Sequence, residues 1–251
     1  MLRGGGEGDL KLLHLASSAV SKTKLRALEA RCKRVRDDID GMAHPWFVEF
    51  AGMPRSGKSS CISIIEHFLR RNGFSVLAPF EGARHAPQAL RDDLVLYNTW
   101  TATYAIRQIL EGVYFRSPGK YHFVLLDRGL FDATAWFHLL EARKTIAVAD
   151  RRALNRVLRL DAWRKYVKLI FVFVVKPKTA LARELEHKLS TKPGLVLEAS
   201  FLKELRKAYA IATECYAEDF PLYKVQTDGL TEQQVAHGVI DEIFRAVENR
   251  T

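Results

Sequence analysis

The sequence predicts an α/β fold in which a parallel sheet lies between layers of helices. Five short runs rich in apolar residues have the length of strands, and stretches of helix length separate them. Strands that alternate with helices in this way form parallel sheets with right-handed crossovers. The third and fourth runs, at residues 121–127 and 169–175, are almost wholly apolar. That composition is expected of strands buried on both faces, so helices should cover both sides of the sheet.

The five predicted strands cover residues 46–51, 74–78, 121–127, 169–175 and 222–227. The predicted helices cover residues 58–71, 86–114, 132–142, 150–166, 178–216 and 231–249. The chain of 251 residues is long enough for one domain of the larger kind, and it contains no internal repeat. We therefore predict an N-terminal tail and amphipathic helix over residues 1–45, and the sheet domain over residues 46–251.

An apolar seam precedes the first predicted strand. After a glycine-rich tail at residues 1–9, which we expect to be disordered, apolar residues recur at alternating steps of three and four. The seam consists of Leu25, Leu28, Cys32, Val35, Ile39 and Met42. Charged residues lie between them, so the pattern predicts an amphipathic helix. We expect this helix to pack on its own domain, and pairing with a helix of another chain is the alternative.

The composition limits the classes of function. The formal net charge of +10 fits attraction to phosphates, on nucleotides or on nucleic acid, and it equally fits a solvated surface rich in Arg and Lys. The longest apolar runs fall far short of a bilayer span, and the N-terminus lacks the apolar stretch of a secretory signal. The three cysteines are widely spaced and form no CxxC pair, which predicts a reducing, cytoplasmic location.

A glycine-rich loop joins the first predicted strand to the next helix. Its sequence, Gly52-Met53-Pro54-Arg55-Ser56-Gly57-Lys58-Ser59, satisfies the full pattern G-x-x-x-x-G-K-[ST] of a phosphate-binding P-loop. In such loops backbone N–H groups surround the phosphates, the lysine reaches the β- and γ-phosphates, and the final hydroxyl binds Mg²⁺. The predicted nucleotide contacts are Gly52, Arg55, Ser56, Gly57, Lys58, Ser59 and Ser60. The fold class is thereby narrowed to a three-layer P-loop NTPase.

A carboxylate follows the third predicted strand. Asp127 ends the apolar run 122–127, so it should lie at the carboxyl edge of the sheet, where open α/β sheets bind their ligands. A carboxylate at that position can hold the magnesium shell together with Ser59. The alternative role for Asp127 is an N-cap of the next helix.

The residues around Asp127 point to particular families of P-loop protein. Asp127-Arg128-Gly129 resembles the Asp/Glu-Arg-x motif of the thymidylate kinase and deoxynucleoside kinase families. The resemblance implies that Arg128 contacts phosphate and that Asp127 lies near the metal and the acceptor. The stretch 80–84, Phe-Glu-Gly-Ala-Arg, is similar to the Glu-Pro-Val segment of deoxynucleoside kinases, with Gly82 in place of the proline. By this resemblance Glu81 is the general base and Arg84 a phosphate or acceptor contact, and a loop glutamate without a catalytic role is the alternative.

Two later segments extend the resemblance. The run 181–183, Leu-Ala-Arg, is similar to the arginine-bearing helix of these kinases, and the stretch 188–192 is similar to their lid. The lid residues here are Lys188 and Lys192 where the families carry arginines, and Arg183 would contact ATP. The run 227–229, Thr-Asp-Gly, resembles the adenine-side loop, which places Asp228 near ATP.

The resemblance covers roughly residues 46–249, and it implies a specific architecture and chemistry. The five-stranded parallel sheet would have the strand order 2-3-1-4-5, ATP with Mg²⁺ would be the donor, and homodimers would be frequent. We therefore expect an ATP-dependent kinase that phosphorylates a nucleoside or a nucleoside monophosphate.

The acceptor pocket is expected along the helix that follows the second strand. Tyr97, Trp100 and Tyr104 combine aromatic faces with nearby polar groups, which suits a stacked base, and their spacing of three and four also suits core packing. Phe131 and Asp132, just after Arg128, are further candidates to line this pocket.

Two other functions remain open. A kinase that acts on the end of an RNA or DNA chain would use the +10 charge. A regulatory P-loop ATPase would instead work with a partner protein through the N-terminal seam.

Overall fold

The computed structural model describes residues 11–13, 15, 18–115, 120–186 and 198–250. The strands in these residues are β1 (Lys11–Leu12), β2 (Trp46–Gly52), β3 (Val76–Leu77), β4 (Phe123–Asp127), β5 (Val167–Val174) and β6 (Leu222–Gln226). The helices are α1 (Lys22–Ile39), α2 (Lys58–Arg71), α3 (Leu94–Leu110), α4 (Leu130–Ala142), α5 (Val148–Leu158), α6 (Asp161–Arg164), α7 (Pro177–Glu186), α8 (Ala199–Tyr216) and α9 (Glu232–Glu248). The glycine-rich tail and the predicted lid residues Lys188 and Lys192 lie outside the described residues.

The strands form one parallel sheet with the order β1-β6-β5-β2-β4-β3. The five predicted strands therefore have the predicted order, with β2 at the centre of the five. Their number is wrong, because β1 adds a sixth strand beside β6. A strand of two residues, just after the glycine-rich tail, is too short to show the period-two pattern by which strands are recognised.

Side chains on each face of the sheet belong to a separate hydrophobic cluster. On one face Phe47 and Val172 pack with the buried sides of α3, α4, α5 and α8. On the other face Phe50 and Phe171 pack with α1, α2 and α9. All seven residues of β2 are buried, as expected for a central strand covered on both sides. The predicted three-layer arrangement is confirmed.

The N-terminal helix packs on the domain. Within the seam Leu28, Cys32, Val35 and Ile39 are buried in the same cluster as α2 and α9, while Leu25 is exposed. Arg31 reinforces the contact from the helix flank, with a bidentate bond to Glu248 and a bond to Asp241, both on α9. The expected intramolecular packing of the seam is what the structure shows.

Three predicted helices differ from the observed ones. The predicted helix 86–114 begins at Leu94, because the Asp93 side chain accepts the N–H groups of Val95 and Leu96 and caps α3 there. Two short 3₁₀ turns precede it, and a π-helical turn ends it. The predicted helix 150–166 divides into α5 and α6, since Leu160 has extended backbone angles. The predicted helix 178–216 corresponds to α7 and α8, with residues 187–197 outside the described part.

None of the helices in the described residues has the length and apolar character needed to cross a membrane.

Candidate active site

The P-loop leaves the carboxyl end of β2 and enters α2. Gly52 begins it with φ of 131°, and a Cβ atom there would lie 2.2 Å from the carbonyl oxygen of Phe173, so only glycine fits. Lys58, the first residue of α2, is folded back onto the loop. Its Nζ donates to the carbonyl oxygens of Gly52 at 3.0 Å and Met53 at 2.8 Å.

Two buried polar groups of the loop fit a phosphate ligand. Burial, with the nearby positive charge of Arg128, lowers the pKa of Lys58 to about 8, so an anionic ligand would stabilise its charged form. The Ser56 hydroxyl is buried and has no hydrogen-bond partner among the described residues. A buried hydroxyl without a partner is costly, and a phosphate oxygen would satisfy it.

Ser59 and Asp127 meet at the carboxyl edge of the sheet. The Ser59 hydroxyl donates to Oδ2 of Asp127 at 2.7 Å. Hydroxyl and carboxylate oxygens are the ligands that Mg²⁺ prefers, and the ion commonly completes its shell with waters and phosphate oxygens. The predicted pair therefore fits a magnesium ion bound with a triphosphate. The alternative role of Asp127 as a helix cap is not observed, since Gly129 is the N-cap of α4.

Arg128 lies between the phosphate loop and the second predicted strand. Its Nε bonds Oε1 of Glu81 at 2.5 Å, and its Nη1 bonds Oδ2 of Asp132 at 2.8 Å. The residue has a φ of 66°, an unusual value for a side chain with a Cβ, and its N–H donates to the Phe50 carbonyl at 3.0 Å. Strained backbone of this kind is often found at functional sites. The two residues predicted as base and phosphate contact are thus brought together.

Glu81 opens onto a small pocket beside Arg128. The pocket wall combines Glu81 and Arg128 with one face of α3, where Thr101, Tyr104 and Gln108 contribute. Gly82 lies close to this face, since a Cβ atom on it would be 3.1 Å from the Tyr104 ring. Gln108 was not among the residues predicted from the sequence, and a glutamine on a mostly apolar helix face was the signal that could have identified it.

The predicted acceptor residues divide between pocket and core. Phe131 is fully buried and packs edge-on against Phe220, so it belongs to the core and not to the pocket. Trp100 is 37% exposed and does not line the pocket beside Glu81. Arg84 does not line this pocket, but it stacks over the exposed ring of Phe80, which does, 4.9 Å from its centroid. Tyr97 is half-buried, and burial and the charge of Glu81 raise its pKa, so it lies within electrostatic range of that carboxylate.

Asp132 lines the pocket, but its carboxylate is occupied by the protein's own donors. Oδ1 accepts the N–H of Gly52 at 2.9 Å and the Tyr209 hydroxyl at 2.5 Å. Oδ2 accepts from Arg128. The predicted role of Asp132 as an acceptor contact is therefore replaced by one in which it joins the P-loop to Arg128.

A buried carboxylate that the sequence analysis missed lies beneath this network. Glu49, in the middle of β2, accepts the backbone N–H groups of Phe131 at 3.2 Å and Asp132 at 2.8 Å, which satisfies the start of α4. Burial raises its pKa to about 8. Gly129 permits this contact, because a Cβ atom there would lie 2.6 Å from the Glu49 carboxyl group. A single glutamate in a strand that is otherwise apolar was the available signal.

A second cleft lies on the other side of the P-loop. It is lined by the loop, by Arg183 of α7 and by the start of α9, including Thr231 and Gln233. The Arg183 guanidinium donates to the Arg55 carbonyl at 3.1 Å and to the Thr227 carbonyl at 2.9 Å. These bonds hold Arg183 at the edge of the cleft, where the sequence analysis predicted an ATP contact.

The remaining predicted ATP contacts are tied to other parts of the protein. Asp228 accepts from the Lys176 N–H at 3.2 Å and the Thr179 hydroxyl at 2.7 Å, so it caps the start of α7 instead of facing the cleft. Burial opposes the ionisation of Asp228, yet these hydrogen bonds lower its pKa. The Arg55 side chain forms an ion pair with Glu184 of α7, while its backbone lines the cleft.

Comparison with known proteins places this geometry in a structural class. No family model and no curated protein matches the chain. Among solved structures, deoxyadenosine kinase from M. mycoides with bound dATP matches with a TM-score of 0.58 and 15% identity, over 78% of this chain and 98% of that chain. The same kinase with bound dCTP matches with a TM-score of 0.57 and 16% identity, over the same shares of both chains. Its complex with the products dCMP and dCDP matches with a TM-score of 0.57 and 17% identity, again over 78% of this chain and 98% of that chain.

The chain has the fold of a deoxynucleoside kinase. The predicted resemblance is therefore confirmed for the fold. At 15–17% identity the likeness carries no residue roles, so these must be argued from the site itself.

Proposed function

We propose that this protein transfers the γ-phosphoryl group of ATP, with Mg²⁺, to a nucleoside or a nucleoside monophosphate. The observation that carries the proposal is the arrangement around the P-loop. Lys58, Ser59 and Asp127 converge on the phosphate position, and the Glu81–Arg128 pair faces it from the neighbouring strand ends. The fold shared with deoxyadenosine kinase supports the same assignment.

The donor side would hold the triphosphate through the loop. The N–H groups of the P-loop, the Ser56 hydroxyl and the Lys58 ammonium would bind phosphate oxygens, which would draw Lys58 away from the Gly52 and Met53 carbonyls. A magnesium ion would be held by Ser59 and Asp127, where it would neutralise charge on the phosphates. Arg183 would close the cleft on the outer side.

The acceptor side would use Glu81 and Arg128. Arg128 reaches Glu81 through Nε and the P-loop through Gly52, so it can contact both the acceptor and the transferring phosphoryl group. Glu81 would take the proton of an attacking hydroxyl. The amide of Gln108 and the ring of Tyr104 offer a polar edge and an aromatic face, which suit a base.

Replacing Glu81 by glutamine would test the acceptor class. A hydroxyl must lose a proton, so Glu81→Gln should lower the rate by roughly 10²-fold or more if the acceptor is a nucleoside. A monophosphate is already ionised, so the loss should then be much smaller. Steady-state transfer from labelled ATP to a nucleoside and to its monophosphate measures both. Glu111→Gln, which removes a carboxylate paired with the exposed Arg107 at 2.6 Å, is the control. Full activity of Glu81→Gln toward a hydroxyl acceptor would exclude Glu81 as the base.

The proposal includes two further predictions from the sequence. Cys32, Cys61 and Cys215 are all free thiols, which supports a reducing, cytoplasmic location. The kinase resemblance also implies a homodimer, which light scattering would test.

The net charge of +10 leaves the end of a nucleic-acid chain as a second class of acceptor. Including an oligonucleotide among the acceptors of the transfer assay separates this class from nucleosides.

A further inference from the structure

Tyr209 reaches the active site from a helix that contributes no residue to the P-loop or to the motifs around Glu81 and Arg128. It lies in α8, is 2% exposed, and directs its hydroxyl into the space between the P-loop and α4. The hydroxyl lies 2.5 Å from Oδ1 of Asp132 and 3.1 Å from the Gly52 carbonyl oxygen, so its single proton is donated mainly to Asp132 and shared with Gly52, and the hydroxyl accepts from Arg128 at 3.5 Å. Burial, with the charge of Asp132, raises the pKa of Tyr209 well above its ordinary value, so the hydroxyl keeps its proton.

Within the described residues, the Tyr209 hydroxyl is one of three side-chain donors around the Gly52 carbonyl oxygen of the P-loop. The oxygen accepts from Lys58 at 3.0 Å, from Tyr209 at 3.1 Å and from Arg128 at 3.3 Å. Lys58 must leave this oxygen to reach a phosphate. A buried carbonyl that loses a donor is less well satisfied, so Arg128 and the shared proton of Tyr209 together lower the cost of moving Lys58 to the nucleotide.

On the acceptor side, the Tyr209 hydroxyl bonds Asp132, which holds Arg128. Arg128 is held between Glu81 at 2.5 Å and Asp132 at 2.8 Å. Asp132 in turn is fixed by the Gly52 N–H and by Tyr209. Without the hydroxyl, Oδ1 of Asp132 would lose its shortest bond, and the carboxylate would gain freedom to turn. Arg128, and through it Glu81, would then be less well aligned for transfer.

We propose that Tyr209 is a positioning residue for phosphoryl transfer, which aligns Arg128 with Glu81 through Asp132. This inference rests on the proposed function. Tyr209 lines neither the pocket beside Glu81 nor the cleft beside Arg183, and it acts through Asp132 and Arg128.

The test compares two tyrosines of the same helix. Tyr216 is also buried on α8, and its hydroxyl bonds Asn155 at 2.9 Å and His138 at 3.2 Å, away from the P-loop. Tyr209→Phe should lower kcat about tenfold or more at saturating MgATP, whereas Tyr216→Phe should leave kcat within about twofold of the wild type. Urea unfolding of both variants shows whether they lose similar stability.

A double-mutant cycle separates positioning from general destabilisation. If Tyr209 acts through Arg128, its removal should matter little once that arginine is replaced. The cost of Tyr209→Phe in kcat should then fall from about tenfold in the wild type to less than about threefold in the Arg128→Lys background. A purely structural residue would lower kcat by the same factor in both backgrounds.

The outcomes distinguish the two proposals. A wild-type protein that transfers phosphate to no nucleoside, monophosphate or oligonucleotide overturns the proposed function and the role of Tyr209 with it. A wild-type kinase in which Tyr209→Phe matches Tyr216→Phe, or in which the cycle is additive, overturns the role of Tyr209 alone.

Discussion

Replacing Glu49 by glutamine should remove a pH dependence from the stability of the domain. Glu49 is fully buried, and burial raises its pKa from 4.5 to about 8. The folded protein therefore holds a proton that the unfolded chain releases between these two values. The resulting stability is fully present below pH 4.5 and is lost as the pH rises toward about 8.

The size of the effect follows from the shift. Each pH unit within that window removes at most about 1.4 kcal/mol, so the loss between pH 5 and pH 7 amounts to about 2–3 kcal/mol. Glutamine cannot ionise, although it exchanges one acceptor oxygen for a donor and so carries a constant cost. The free energy of unfolding of the wild type, measured relative to Glu49→Gln, should therefore fall by about 2–3 kcal/mol over this range.

Urea denaturation at pH 5, 6 and 7 measures this difference. With the slope expected for a domain of this size, the urea midpoint of the wild type should fall relative to Glu49→Gln by about 1 M. Glu66→Gln, which removes a surface carboxylate paired with Arg70 at 2.8 Å, is the control and should follow the wild type. Parallel curves for the wild type and Glu49→Gln would show that Glu49 is ionised in the folded protein over this range, and that the account of its burial is wrong.

Two further predictions concern the metal site and the N-terminal helix. Asp127→Asn should raise the Mg²⁺ concentration for half-maximal activity about tenfold or more, because it removes charge from the metal position next to Ser59. Its stability toward urea should change little. An unchanged magnesium titration would exclude Asp127 from metal binding. Leu28→Asp with Val35→Asp should lower the melting temperature by several degrees or more, because both side chains are buried against the domain. A stable, folded double mutant whose mass by light scattering is half that of the wild type would instead show that the seam pairs two chains.

The parts of the fold that the sequence predicted are those with strong local patterns. The strand within 121–127 could be placed because a continuous apolar run that ends in a carboxylate is typical of a buried parallel strand, and α2 begins at Lys58 as the P-loop motif requires. β1 could not be placed, because two residues that pair only with β6 carry no pattern of their own. The start of α3 was missed because the local bonds of Asp93 overrode the helical pattern before it.

The candidate site, too, was predictable only where a sequence motif fixes the position of a residue. Ser59 and Asp127 were predicted to meet, and they do, since the motif and the parallel sheet fix both positions. The network that holds Arg128 was not predictable, because Tyr209 lies 77 positions from Asp132 in the chain and is joined to it only by the packing of α8 on α4. Phe131 was assigned to the pocket from its nearness to Arg128 in sequence, yet one step along a helix turns a side chain by about 100°. In the structure that step directs Phe131 into the core.

We propose that the P-loop of this protein drives phosphoryl transfer to a small acceptor. The test follows the label from γ-labelled ATP into nucleosides, nucleoside monophosphates and oligonucleotides, for the wild type and for Lys58→Ala, with Lys33→Ala, at an exposed position of α1, as control. We expect the label to enter a nucleoside or monophosphate, and we expect Lys58→Ala to lose roughly 10²–10³-fold in rate while Lys33→Ala does not. Transfer at the wild-type rate by Lys58→Ala, or ATP turnover that labels no acceptor and increases only with another protein, would contradict this proposal.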